Sequence, residues 1–311
     1  MSTRSALLPA LTLARALSLA APPDALAAPP GPGKVDTALK GLQVFKYKHK
    51  AGQVERFDSK IEQSIAMKGD AGALGGAADV KTKMTSTMRM ETRKVLPNGD
   101  ASVLTTYEGF DMSMQQGGQT IQGAQLGPLV EMVRKIKTTT TLAPNGVQKE
   151  VVFEGLPPEM EQLQDSFKNA MIGATPVFPD GGLKIGQEWT QKMPMELKQG
   201  PITLKMDFQI KYTFLGFTAE GARKVAVFKT RLDMVMSKTT TQLMGVEMIL
   251  GGTGSGNGFL YFDHEAGRLH KSVMEMDQNI DMTVNAPEGP QNIKMALKTL
   301  ASVNRKADAI K

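Results

Sequence analysis

From Val80 onward the chain alternates with period two. Val80, Thr82, Met84, Met88 and Met90 fall on one side, and Lys81, Lys83, Arg89, Glu91 and Arg93 on the other. Successive side chains of a strand point to opposite faces, so this spacing predicts a strand with one buried and one wet face. Leu96-Pro97-Asn98-Gly99-Asp100 follows, with the Asn-Gly pair that suits a tight reversal, and Ser102 to Met114 returns with Leu104, Thr106, Phe110, Met112 and Met114 on one face. The same grammar recurs. Ile136 to Leu142 and Val147 to Phe153 flank Ala143-Pro144-Asn145-Gly146; Ile202 to Phe217 and Arg223 to Met236 flank Thr218-Ala219-Glu220-Gly221; Phe259 to Asp263 and Arg268 to Val284 flank His264-Glu265-Ala266-Gly267. A last strand runs from Asn292 to Val303, with Ile293, Met295 and Leu297 on one face.

One segment changes period. Met160, Leu163, Phe167 and Met171 recur at helical spacing behind Pro157-Pro158, which predicts a helix over about 158–172. Gly69 to Ala78 and Gln115 to Gln125 read as exposed loops. The expected fold is mainly β: a long antiparallel meander of roughly eight to eleven strands, curved into a sheet or incomplete barrel with the helix packed on it. Two smaller sheets joined by the helix is the alternative. Residues 40–303 then form one β-rich domain, with front hairpins over 40–155, rear hairpins over 185–303 and a tail at 304–311.

The start of the chain reads as an address. Arg4 precedes an apolar stretch, and Ala25-Leu26-Ala27 is a small-x-small cleavage site, so residues 1–27 are expected to be a signal peptide and 28–39 a Pro/Gly-bearing linker. No stretch reaches the ~20 uninterrupted apolar residues of a membrane-spanning helix. Export to the periplasm or beyond is the expectation.

Composition narrows the chemistry. The 311 residues contain no Cys, which excludes disulfides, thiol catalysis and a lipid-anchored Cys. The formal net charge of +6 is spread along the strands without a dense stripe, so no nucleic-acid footprint is expected. His49, His264 and His270 complete no motif, and Asp263-His264-Glu265 reads as a hairpin turn, not a catalytic cluster. No cofactor is implied. Gly252, Gly254, Gly256 and Gly258 alternate, so they face one way; a strand follows them where a phosphate-binding loop would have a helix, and close packing of the central helix is the expected use.

Among 21 Met, Met-x-Met occurs at Met88/Met90, Met112/Met114, Met193/Met195, Met234/Met236 and Met274/Met276. Each pair aims two thioethers to one face of a strand. Core filling is the plain use; an adaptable groove for acyl chains is a second. Cu(I) binding by Met88, Met90, Met112 and Met114 is a third, weaker alternative. Trp189 is expected to anchor the chain where it re-enters the sheet.

The order of landmarks carries a resemblance: Phe45-Lys46-Tyr47-Lys48, Ala51-Gly52-Gln53, Leu96-Pro97-Asn98-Gly99, Pro179-Asp180-Gly181-Gly182 before Ile185-Gly186-Gln187-Glu188-Trp189, Tyr212-Thr213-Phe214-Leu215-Gly216, and Phe262-Asp263 with Ala266-Gly267-Arg268-Leu269. In that order the chain resembles the exported bacterial family catalogued as domain of unknown function 6263, and more loosely the half-barrels that carry lipoproteins in the cell envelope. The resemblance implies an exported β-rich module and supplies no activity. The functional expectation is a non-enzymatic envelope protein that binds a lipid or other apolar ligand; a structural or protein-interaction component without ligand is the alternative.

Overall fold

The computed structural model describes residues 31–69, 80–116, 119–122, 126–156, 164, 168, 175–199, 202–221, 223–243, 246–286 and 289–306. In chain order the strands are β1 (Val54–Gly69), β2 (Val80–Val95), β3 (Ala101–Gln116), β4 (Gln119–Gln122), β5 (Lys137–Leu142), β6 (Gln148–Glu154), β7 (Glu188–Gln199), β8 (Ile202–Glu220), β9 (Arg223–Leu243), β10 (Val246–Asp263), β11 (Arg268–Ala286) and β12 (Gly289–Arg305), with a short helix α1 (Gly127–Lys135) between β4 and β5. All twelve strands belong to one antiparallel sheet of order β6-β5-β3-β2-β1-β12-β11-β10-β9-β8-β7, with β4 paired on β3. The alternative of two sheets is thereby overturned, because β1 pairs with β12 over thirteen residues from Phe57 to Gly69 and fuses the front and rear meanders.

The strands are long: the 21 residues of β9 span roughly 70 Å at about 3.3 Å per residue. Their ends define two poles. At the base lie the reversals between β2 and β3, β5 and β6, and β10 and β11, with the paired ends of β8 and β9; the paired ends of β7 with β8, β9 with β10 and β11 with β12 define the mouth. Gly99 and Gly146 hold the predicted Asn-Gly turns at φ 84° and 99°, a region that only glycine enters cheaply.

The sheet is open, but it curls until its edges come near. At the base one connector holds both: Gln148 of β6 donates to Thr175 Oγ1 at 3.0 Å, Gln191 of β7 donates to the Thr175 carbonyl at 3.2 Å, and Val177 N–H donates to Gln191 Oε1 at 3.0 Å. The predicted one-sided glycines permit the bend. A Cβ on Gly252 would stand 2.5 Å from the Asn279 carbonyl oxygen, one on Gly256 2.6 Å from that of Glu275, and one on Gly258 would collide with that of Val273. Among the described residues it is therefore the backbone of β11 that approaches the bare face, where the sequence suggested a helix. Glycine lets neighbouring strands close up on the concave side, as a bend line requires.

Several boundaries differ from the expectation. The predicted helix over 158–172 falls on residues of which only Gln164 and Lys168, both helical, are described; the rest lies outside the described residues. Most of the loop at Gly69 to Ala78 lies outside them too. The loop at Gln115 to Gln125 is in part the hairpin of β3 with β4, paired from Ser113/Gln122 to Gln116/Gln119. The linker at 28–39 is not free along its described length, since Asp36 exchanges backbone hydrogen bonds with Phe217. The tail at 304–311 begins inside β12, and Lys306 N–H donates to the Arg56 carbonyl. In β3 the phase slips at Glu108, so Val103 and Ala101 are buried where Leu104 and Thr106 were expected. A bulge adds one residue and re-aims every side chain beyond it.

Replacing Gly256 by Val should destabilise the fold by about 1–3 kcal/mol through overpacking against β11, while Ser255→Val on the exposed face stays within about 0.5 kcal/mol. Urea denaturation of both variants checks this, and equal midpoints would remove the bend-line role.

Candidate functional site on the concave face

Residues directly opposite in an antiparallel ladder share a face, so the pairing register lists the inner wall row by row. One row near the mouth reads Met195, Met206, Met236, Gly252, Ile280, Met295 and Met67 across β7, β8, β9, β10, β11, β12 and β1. The next toward the base reads Met193, Phe208, Met234, Gly254, Gln278, Leu297 and Ile65. Two rows further on are Trp189, Tyr212, Thr230, Gly258, Met274, Ala301 and Ile61. The glycines of β10 thus form the bottom of a trough, with Met, Ile and Leu on both flanks. Met206, Met234, Met236, Ile280, Met282 and Met295 are buried in one apolar cluster, against which Met67, Met193, Met195, Met248, Met274 and Met276 pack partly exposed.

The base is aromatic. Phe45 is the hub, with ring centroids 5.1 Å from Phe214 and Phe228, 5.4 Å from Phe178 and 5.2 Å from His264. Its neighbours meet it edge-on or tilted, the arrangement that ring quadrupoles favour. The extended segment carrying Phe45 is fastened along its length: Gln43 N–H to the Leu183 carbonyl, Tyr47 N–H to the Pro144 carbonyl, and Lys48 N–H to the Gly267 carbonyl. Gly146 and Gly267 allow that approach, since a Cβ on Gly146 would lie 2.8 Å from the Tyr47 ring and one on Gly267 2.7 Å from the Lys46 carbonyl oxygen. Trp189 stacks on Tyr212 at 4.7 Å and 14°, which gives the predicted anchor its partner. Burial pushes the phenols of Tyr47 and Tyr212 well above their ordinary range.

The candidate copper ligands share the inner face without sharing a row. Met112 and Met114 stand opposite Met84 and Thr82, while Met88 and Met90 stand opposite Tyr107 and Thr105. From Met84 to Met88 is four residues, roughly 13 Å along the strand. The two pairs therefore lie on different levels. Among the described residues no three His, Asp or Glu side chains gather as a metal site. Asp263 accepts the Ala266 N–H at 2.9 Å, so Asp263-His264-Glu265 is the turn that its sequence suggested.

Sequence reasoning did not foresee that all three histidines belong to the base. His264 packs between Phe45 and Phe217, and His49 lies parallel to Tyr47 at 6.3 Å. His49 Nε2, His264 Nδ1 and His270 Nδ1 are each buried without a hydrogen-bond partner. Burial lowers all three pKa values; Glu55 opposes this at His49, Lys48 adds to it at His264 against Glu265 and Asp263, and Glu220 opposes it most at His270. The ion pairs of half-buried Glu55 with the buried Arg305 at 2.9 Å and the half-buried Arg268 at 3.1 Å lie at the same end.

The polarity of the wall is the inverse of a membrane barrel's, whose outward band is apolar and whose lumen is polar. On β9 the inward residues Thr230, Leu232, Met234 and Met236 are buried, while the outward ones include Lys229, Arg231 and Val235, all exposed. No helix among the described residues is long and apolar enough to cross a membrane.

No family model and no curated protein matches the chain, so the resemblance to domain of unknown function 6263 rests on the order of its motifs. Solved structures with some likeness include OccK5 (OpdH) of Pseudomonas aeruginosa, at 6% identity and a TM-score of 0.25 over 82% of this chain and 98% of that one. The translocator domain of autotransporter NalP from Neisseria meningitidis matches at 6% identity and a TM-score of 0.16 over 83% of this chain and 90% of that one. Likeness at this level carries no functional weight.

Two outcomes follow from the base. Phe45→Ala should cost about 3–5 kcal/mol, read as a lower urea midpoint. The lowered histidine pKa values mean that the unfolded chain takes up protons first. Stability is therefore full above the unfolded value of about 6.5 and is lost as pH falls from there toward the lower folded values. Unfolding midpoints at neutral and acidic pH should show this slope, reduced in His264→Leu; an unchanged slope in that variant would clear His264.

Proposed function

We propose that this chain is an exported module of the cell envelope that holds an apolar ligand, such as a lipid acyl chain, along the concave face of its sheet. The observation that carries the reading is the wall itself: rows of Met, Ile and Leu crossing seven strands, over a glycine trough, in a sheet whose two edges remain unpaired with each other. Thioethers on flexible stems can repack around a chain of variable length, which an all-aromatic wall cannot do. The aromatic base closes one end of the trough. Strand pairing satisfies the backbone of the wall, so nothing along the trough asks the ligand for hydrogen bonds. The leader read from residues 1–27 supports export, and nothing in the site calls for catalysis.

Native mass spectrometry of protein from its own envelope, together with titration of a fluorescent fatty acid, tests the reading. A co-purifying lipid mass and saturable binding are expected. Met206→Gln/Met236→Gln should weaken fatty-acid binding about tenfold or more, because two amides then face the chain. A bare mass together with no fatty-acid binding overturns the proposal and leaves a ligand-free structural component.

A further inference from the structure

We infer that the convex face of β2, β1 and β12 near the mouth is a docking surface for an anionic lipid bilayer. Lys60 and Lys68 of β1, Lys81 and Lys83 of β2, and Lys294 and Lys298 of β12 alternate with inward residues and so share the outer face of three adjacent strands. Glu62 is the only acid on that face between Lys60 and Gly69, Val80 and Thr87, and Ile293 and Leu300.

Lys68 and Lys294 stand directly opposite each other, an arrangement that costs stability unless an anion answers it. The base shows how the fold answers such a pair when it must do so alone. Arg56 and Arg89 are also directly opposed, and the bulged Glu108 reaches them, accepting two hydrogen bonds from Arg56 at 2.7 and 2.8 Å and lying 3.9 Å from Arg89. Among the described residues no such carboxylate is supplied at the mouth. Asp281 is in register with Lys294 on β11, yet neither Lys68 nor Lys294 has an ion pair among the described residues, and both are exposed. Lys60 and Lys298 are partly answered by Glu62 at 2.7 Å and Asp277 at 3.4 Å.

The position of the patch selects the partner. Met67 and Met295 flank Lys68 and Lys294 in sequence and point inward at the same level, so these exposed cations rim the mouth of the apolar wall. A surface that presents both negative charge and acyl chains is an anionic bilayer, and docking there would bring the trough to its ligand. This orientation rests on the proposed lipid-binding reading; the charge argument does not.

Flotation of the protein with phosphatidylcholine vesicles, with and without about one-third phosphatidylglycerol, tests docking, and fatty-acid titration without vesicles tests the trough separately. Binding is expected only to the anionic vesicles, and it should fall as salt screens the patch. Lys68→Glu/Lys294→Glu should weaken it by at least about tenfold, since each basic residue near an anionic surface contributes roughly a fivefold factor. Lys68→Gln/Lys294→Gln should weaken it less, in the same direction. Lys46→Glu/Lys50→Glu, with the same charge change on exposed residues at the base, should retain most of the binding. Equal loss in the mouth and base variants, or equal binding to neutral vesicles, overturns the inference. So does absence of vesicle binding by a protein that still takes up fatty acid, which leaves the proposed function standing. Vesicle binding that depends on the mouth lysines, in a protein that takes up no fatty acid, would support docking and remove the trough.

Discussion

Much of this fold depends on bending one sheet so that the flanks of its apolar face approach each other. A sheet with a hydrophobic face must bury that face against something. Here the described strands all belong to one sheet, and its curvature brings apolar rows from its front and rear strands onto one concave wall. The absence of four Cβ atoms along β10 lets β11 come close on the inside, and the contacts of Gln148 and Gln191 with the segment at Thr175 to Val177 hold the curled edges at the base. Hydrogen bonds of this kind contribute about 1 kcal/mol each, so the curl is secured mainly by the burial it makes possible.

The two ends of the wall use different materials. Ring packing at the base is directional and dense, and bulges at Glu108, Leu215 and His270 adjust strand phase there. Toward the mouth the ladders run without such interruptions until β9 meets β10 at Gly251, and the residues are predominantly Met, Ile and Leu. Rigidity at one end and adaptability at the other suit the proposed ligand trough, which would keep its shape while accepting variable contents.

Much of this was legible because it is local. Alternation located the hairpins around Gly99, Gly146 and Gly267, predicted the common face of Ile293, Met295 and Leu297, and aligned the glycines of β10. What was not legible depends on distant partners. The inward residues of β1 include Ser59 and Gln63, which blur its alternation, and nothing in its own sequence announces β12 as its neighbour. The phase slip in β3 makes sense only beside Arg56 and Arg89. The fastening of Asp36 to Phe217 comes from a stretch that reads as a linker because small, polar and proline residues dominate it. Helix α1 begins at a Gly-Pro that marks a loop by composition, although Pro is well tolerated in a first helical turn. At the candidate site, the row structure of the methionines needed the register, which alternation within single strands does not contain.

The seam between β1 and β12 has a consequence for how the chain reaches this form. Each flanking meander is built from neighbours in sequence, so each can organise as its strands emerge, but the ladder that unites them joins residue 57 to residue 305. Loop closure on that scale is slow compared with hairpin formation. Until β12 arrives, β1 and β11 each present an open edge more than a dozen residues long to any strand nearby. The step most exposed to mispairing and to chaperone surveillance is thus the last one, in the middle of the finished sheet rather than at its rims.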